Sequence, residues 1–304
     1  MLKEYEEIGC NLCGRDNYQV IYEAKQMQVQ ERDLFGVYRA SADEFLFDQL
    51  VKCKHCGLIY INPRLNYDTI LKIYETGEDH DFISQAKARE KTFLNYIKLI
   101  EKYASKGKIL DVGTGSGAFL NAAKKRGWQV YGIEPNKWLR EWARKSYGID
   151  IKNGTLIQQK YPDNFFDVVT LWDVLEHLGD PKAELWEIKR ILKPSGLLVI
   201  NFPNISSLLA KLAGRKWWFL LSVHLYYFTP QTLKKLLSLT GFSTLKTSMH
   251  FQYLSLGYLA YRAKAYNRGA YKIADRIINT LGLGDMLIPY YASQTNIFCQ
   301  NEKK

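Results

Sequence analysis

Apolar and polar positions follow two rhythms along this chain. Short apolar runs of strand length recur after residue 104, at "GKILDVG", "QVYGIEP", "FFDVVTLW" and "LLVINFP". Between them lie segments with helical spacing, "FLNAAKKRG", "KWLREWARKSYG" and "PKAELWEIKRILK". Strand and helix in alternation predict a parallel sheet with helices on both faces. "TPQTLKKLLSLTGF" opens on Thr229-Pro230 and stops at Gly241, as a helix should. "STLKTSMHF" and "ASQTNIFCQ" supply two further strands at one edge, with helical material between them. Upstream, "NYDTILKIYE" and "FISQAKAREKTFLNYIKLIEKYA" read as helices, whereas residues 1–63 hold only short aromatic-rich runs such as "YQVIYEA" and "LIYINP". The pattern divides the chain into a small β-rich module over 1–63 and an α/β domain over 64–304. That domain has its core at 105–204 and an added region at 205–290.

Charge and cysteine usage sharpen this division. The net charge is +11, and from Ile205 onward there are 13 Lys and Arg against 3 Asp and Glu. An excess concentrated in the last third suggests an anionic partner there: a phosphorylated substrate, an anionic membrane surface or nucleic acid. The most apolar stretch, "ISSLLAKLAGRKWWFLLSV", is interrupted by Lys211, Arg215 and Lys216, so no spanning helix is expected. "MLKEYEEIGC" is acidic and lacks an apolar leader, which leads to the expectation of a cytoplasmic protein. Four of the five cysteines form two C-x-x-C pairs, "CNLC" (Cys10, Cys13) and "CKHC" (Cys53, Cys56). Four thiolates in two such pairs are expected to close a tetrahedral structural zinc site. His55 is read as a bystander, and Cys299 as a buried apolar side chain.

The stretch "ILDVGTGSGAFL" carries the candidate chemistry. Gly113, Gly115 and Gly117 make a strand-to-helix turn, a cradle for a nucleotide-like ligand. The same turn satisfies the dinucleotide fingerprint, so its surroundings must choose the ligand. Asp111, two residues before the first glycine, would repel a pyrophosphate but suits an ammonium group. Glu134, at the end of the next strand, is placed to accept both hydroxyls of a ribose. An amine, a carboxylate, a sulfonium and a ribose without phosphate describe S-adenosylmethionine.

Together, "ILDVGTGSGAFL", "YGIEP", "FFDVVTLWDVLEHLGDP" and "LKPSGLLVINFP", in this order, resemble a class I S-adenosylmethionine-dependent methyltransferase, and "HLYYFTPQTLKKLLSLTGF" extends the similarity. The resemblance implies a Rossmann-like sheet of seven strands ending in an antiparallel hairpin. It matches Asp111, Gly113, Gly115 and Gly117 to the cofactor loop and Glu134 to the ribose acid. It also places Trp172 and Asp173 at the strand end that lines the cofactor. "CKHCGLIYINPR" resembles the zinc-binding part of bacterial and archaeal methyltransferases of sugar and surface-polysaccharide pathways, although this chain lacks the additional carboxy-terminal domain of the sugar C-methyltransferases.

An oxygen nucleophile needs its proton removed, and His177 and His224 stand after the fourth and fifth strands, where either is a candidate base. Hydrogen bonds that orient loops are the other role open to them. Asp173, Glu176 and His177 form D-x-x-E-H, similar to a divalent-cation cluster of ubiquinone-pathway O-methyltransferases. The expected acceptor is a hydroxylated, anionic small molecule or glycan. An RNA methyltransferase and a cofactor-binding regulatory protein are the alternatives. Specificity is expected from Arg215, Lys216, Trp217, Trp218, Tyr226 and Tyr227, and from a basic ridge of Lys264, Arg268, Lys272 and Arg276. With Tyr258, Tyr261 and Tyr271 nearby, that ridge could meet lipid head groups peripherally at the inner membrane surface, a diphosphate-linked glycan or RNA.

Overall fold

The N-terminal cysteine pairs are brought together by short antiparallel strands in a computed structural model of the chain, which describes residues 5–25, 34, 36–39, 46–264 and 267–302. Strands β1 (Tyr5–Glu6), β2 (Tyr18–Tyr22), β3 (Leu50–Cys53), β4 (Ile59–Ile61) and β5 (Arg64–Leu65) form this module. β2, β3 and β4 pair in sequence, and β1 pairs with β5. Three helices follow: α1 (Tyr67–Thr76), α2 (His80–Ser84) and α3 (Ala86–Ile100). The long helix expected from "FISQ" onward is interrupted at Gln85, whose buried side chain accepts a hydrogen bond from the Ser255 N–H.

The alternating half then proceeds through β6 (Lys108–Val112), α4 (Ala118–Lys125), β7 (Gln129–Ile133), α5 (Lys137–Tyr147), β8 (Phe166–Trp172), α6 (Pro181–Ile191) and β9 (Leu192–Pro203). After it come α7 (Leu208–Ala213), β10 (Tyr226–Tyr227), α8 (Pro230–Leu239), β11 (Phe242–Ser255), α9 (Leu256–Ala263), α10 (Arg268–Thr280) and β12 (Leu287–Asn301). The main sheet has six strands in the order β11-β12-β9-β8-β6-β7. β7, β6, β8 and β9 are parallel, while β12 and β11 run antiparallel, the hairpin that was expected. The seventh strand is reduced to a single parallel bridge between Ile133 and Lys152. Gly154, at φ 98°, turns the chain away two residues later, so no ladder extends.

Two departures from the expected organisation bear on the site. First, β10 belongs to the α/β domain in sequence but pairs with β4, Tyr226 opposite Tyr60 and Tyr227 opposite Ile59. Cys10, Leu12, Val51 and Tyr60 of the module share one apolar core with Leu171, Ile200, Leu225 and Phe228. A module this small buries little surface by itself, so it is completed by the larger domain instead of ending cleanly at residue 63. Second, β12 meets β9 only from Gln294 onward, and its earlier residues pair with β11 alone. That part of the hairpin overhangs the carboxyl ends of the parallel strands, the rim where open α/β sheets bind ligands.

Candidate active site

The glycine loop is locally determined. Gly113, Gly115 and Gly117 all have positive φ, at 64°, 54° and 74°. A Cβ at Gly113 would lie 2.7 Å from Val174, and one at Gly115 would lie 3.0 Å from the Phe82 ring. The loop conformation and the closeness of its neighbours thus both demand glycine. It leads directly into α4, whose N-terminal N–H groups remain available for an anionic ligand group.

Asp111 and Glu134 sit beneath this loop, both buried. Asp111 accepts a hydrogen bond from the Thr170 hydroxyl at 2.6 Å. Glu134 accepts the N–H of Gly115 on one oxygen and that of Asn136 on the other, each at 2.8 Å. Loss of hydration pushes both carboxyl groups up to about 7. Both acids line a cavity of about 810 Å³ that runs from the glycine loop to His177, His224 and the overhanging hairpin.

The roof of the cavity was not legible in sequence patterns. Tyr74 of α1, Phe82 of α2 and Arg89 of α3 lie over the loop side, with the Arg89 guanidinium 4.0 Å from the Phe82 ring. Trp172 lines the same space and packs on Phe93 and Phe119, each at 5.3 Å between ring centres. Its indole N–H has no partner among the described residues. Asp173 adopts a left-handed backbone at φ 54° and turns toward the hairpin, where both its oxygens accept from the Gln294 amide, at 2.5 and 2.6 Å. Burial raises its carboxyl to about 6. Asp173 therefore joins a polar floor with Gln252 and Gln294, beside the neighbouring acid-histidine cluster.

That cluster joins Glu176, His177 and His224. The imidazole rings stand 4.7 Å apart between centres. The Nδ1–H of His177 donates to the Val223 carbonyl at 3.0 Å, and that of His224 to the Phe219 carbonyl at 2.8 Å. A carbonyl can only accept, so each ring bears its proton on Nδ1 and leaves Nε2 with a free lone pair. Neither oxygen of buried Glu176 has a hydrogen-bond partner among the described residues. One potential ligand atom from each of the three residues lies within 4.8 Å of the others. Burial lowers His177 to about 4 and holds His224 well below the usual imidazole range, and it raises Glu176, helped by the charge of Asp173. Asp173 contributes no atom to this group, so the D-x-x-E-H set is not assembled as a cation site.

The four cysteine thiols converge as the spacing implied. Cys10 and Cys56 are 3.3 Å apart at sulfur, Cys13 and Cys53 are 3.6 Å apart, and one sulfur from each lies within 4.8 Å of the others. A tetrahedron with zinc–sulfur bonds of about 2.3 Å has edges just under 4 Å, so the donor set fits a four-coordinate zinc. Cys299 is buried in β12, as expected.

The expected specificity residues separate. Trp218 lines the cavity. Trp217 is 1% exposed and donates to Ser293 Oγ at 2.8 Å, while Tyr226 and Tyr227 are buried; these three pack the core. Arg215 and Lys216 border a separate hollow beside Tyr22 and Leu46, with Arg215 4.5 Å from the Tyr22 ring. The basic ridge is broken as well: Lys264 follows α9 and sits against Tyr261 and Tyr271, whereas Arg268, Lys272 and Arg276 belong to α10. At the cavity mouth the cations are Arg262, Lys264 and Arg268.

Comparison with known proteins agrees with this geometry. A family model described as a methyltransferase domain matches residues 84–247. An uncharacterized methyltransferase of Schizosaccharomyces pombe is 34% identical over 121 residues, 35% of this chain and 44% of its own length. The mitochondrial ubiquinone biosynthesis O-methyltransferase of the same organism is 32% identical over 101 residues, 31% of this chain and 37% of its own length. The match thus spans less than half the length of either relative. A SAM-dependent methyltransferase of Archaeoglobus fulgidus superposes with a TM-score of 0.51 at 20% identity, covering 73% of this chain and 100% of that one. That likeness establishes the fold.

Proposed function

Since the chain belongs to the methyltransferase-domain family, we propose that it transfers the methyl group of S-adenosylmethionine to a hydroxylated, anionic small molecule or glycan. The observation that carries the acceptor chemistry is the convergence of His177 and His224, with Glu176 buried beside them, on the cavity that also holds Asp111 and Glu134. Two imidazoles that present Nε2 lone pairs beside one another form a site that takes up a proton, as a hydroxyl nucleophile requires. Tyr258, Tyr261 and Tyr290 offer ring faces to the acceptor, and Arg262, Lys264 and Arg268 suit an anionic group on it.

The residues fit the cofactor. Asp111 suits the ammonium group, and Glu134, which the Gly115 and Asn136 N–H groups and the Tyr74 hydroxyl hold in place, suits a ribose hydroxyl. Bound S-adenosylmethionine supplies a methyl group already activated on a sulfonium. The chain itself orients the acceptor and excludes water with Trp172, Phe93 and Phe119. His177 and His224, neutral because they are buried, accept the hydroxyl proton at Nε2.

The test is a metabolite screen with methyl-labelled S-adenosylmethionine. The expected result is label on a hydroxyl oxygen of an anionic acceptor. Label confined to RNA, or to carbon or nitrogen of the acceptor, overturns this assignment.

We further propose that Cys10, Cys13, Cys53 and Cys56 hold one structural zinc. Elemental analysis of the purified protein should find one zinc per chain, lost in Cys53→Ser. Because β4 carries β10, which follows His224 directly in sequence, zinc loss should lower kcat more than it weakens cofactor binding. Metal-free protein with full turnover would exclude that role.

A further inference from the structure

The helix α10 carries an apolar stripe that the described residues leave exposed. Ile273, Ile277 and Leu281 recur every four residues and are 66%, 53% and 62% exposed. The opposite side of the helix is the one that packs: Ile278 is buried, and the Tyr271 ring meets Tyr261 of α9 at 6.5 Å between centres. Lys272 and Arg276 are exposed and flank the stripe, one helical turn apart. A second exposed apolar group lies on α7, where Leu208 and Leu212 are 71% and 76% exposed. The segment around α7 is tied to the same end of β12, through the Asn204 N–H on the Ser293 carbonyl and the Trp218 indole on the Ala292 carbonyl.

We propose that this face of α10 docks on an anionic lipid bilayer. A helix with an exposed apolar stripe and neighbouring cations is built to lie in the interface, with its apolar side among the acyl chains and its cations at the head groups. Charge selects this occupant over a second copy of the chain. The net charge of +11, concentrated after residue 204, makes two such faces repel and attracts an anionic surface. Nucleic acid would use the cations but leave the isoleucines in water. The location adds a consequence that rests on the proposed transfer reaction: α9, packed against α10, supplies Tyr258, Tyr261 and Arg262 to the cavity. Docking therefore holds α9, one helix further from the bilayer, and the cavity it lines close to the surface, and the acceptor class is a hydroxylated anionic molecule carried on a lipid.

The experiment is co-sedimentation of the full chain with vesicles of phosphatidylcholine alone or mixed with phosphatidylglycerol. The wild type should bind the mixed vesicles and not the neutral ones, and added salt should weaken that binding. Ile273→Glu with Ile277→Glu should lower partitioning by roughly tenfold or more, and Lys272→Ala with Arg276→Ala by a similar factor. Unchanged S-adenosylmethionine binding certifies that the variants are folded. Equal binding to both vesicle types, no binding at all, or an oligomer dissolved by the isoleucine substitutions would overturn the proposal. No turnover enters this assay, so its failure leaves the transfer reaction standing, and failed transfer leaves the docking face standing.

Discussion

Replacing both His177 and His224 by asparagine should lower kcat by roughly a thousandfold, the middle of the range of about 10²–10⁴ expected for losing general-base catalysis. Each single variant should lose nearly as much as the pair, because the two adjacent rings act as one proton-accepting group. The affinity for S-adenosylmethionine should stay within about twofold, since the glycine loop and Glu134 are held by other bonds. The pH profile adds a second readout. His177 is lowered to about 4 by burial, so at saturating cofactor kcat should show no fall as pH drops through 6.5. Variants with normal kcat would show that these rings only orient loops.

Glu134→Ala should weaken S-adenosylmethionine binding about a hundredfold, equivalent to roughly 2.7 kcal/mol. The loss has two sources: the acceptor of the ribose hydroxyls, and the anchor that fixes the Gly115 and Asn136 N–H groups. Wild-type affinity should also depend on pH in a defined direction. Asp111 and Glu134, each raised to about 7, lose on protonation the charge that attracts the ammonium group and strengthens the ribose hydrogen bonds, so affinity falls as pH drops below 7. Asp111→Asn should flatten that dependence while lowering the affinity. Stability moves oppositely in the unliganded protein. These acids bind protons more tightly folded than unfolded, so stability is lost as pH rises from about 4 through 7. Calorimetric titration and thermal unfolding across pH 6 to 8 check both signs. Cofactor affinity that does not change over that window would show that neither carboxylate binds it.

The parts of this protein legible in the sequence are those whose physics is local. A strand, three glycines at positive φ and a helix N-terminus determine the cofactor loop within twelve residues, and Asp111 is carried along with it. Glu134 was legible for the same reason, since one strand later in a parallel sheet means the same rim. The two C-x-x-C pairs specified a thiol cluster, because each pair is a tight turn that presents two sulfurs together. Adjacency in the chain does not fix a shared location: Trp218 lines the cavity, whereas Arg215 and Lys216 border a separate hollow. The tertiary structure alone decided which side chains meet. Asp173 is claimed by Gln294, 121 residues away, which removes it from the acid-histidine motif it occupies in sequence. His177 is oriented by the carbonyl of Val223, 46 residues on, and His224 then completes a group with Glu176 that adjacency could not reveal. The roof of Tyr74, Phe82 and Arg89 comes from helices with no motif, placed by packing alone. Hydrophobic periodicity states that a face is buried but not against what, so the glycine-loop side of the cavity was readable and the opposite side was not.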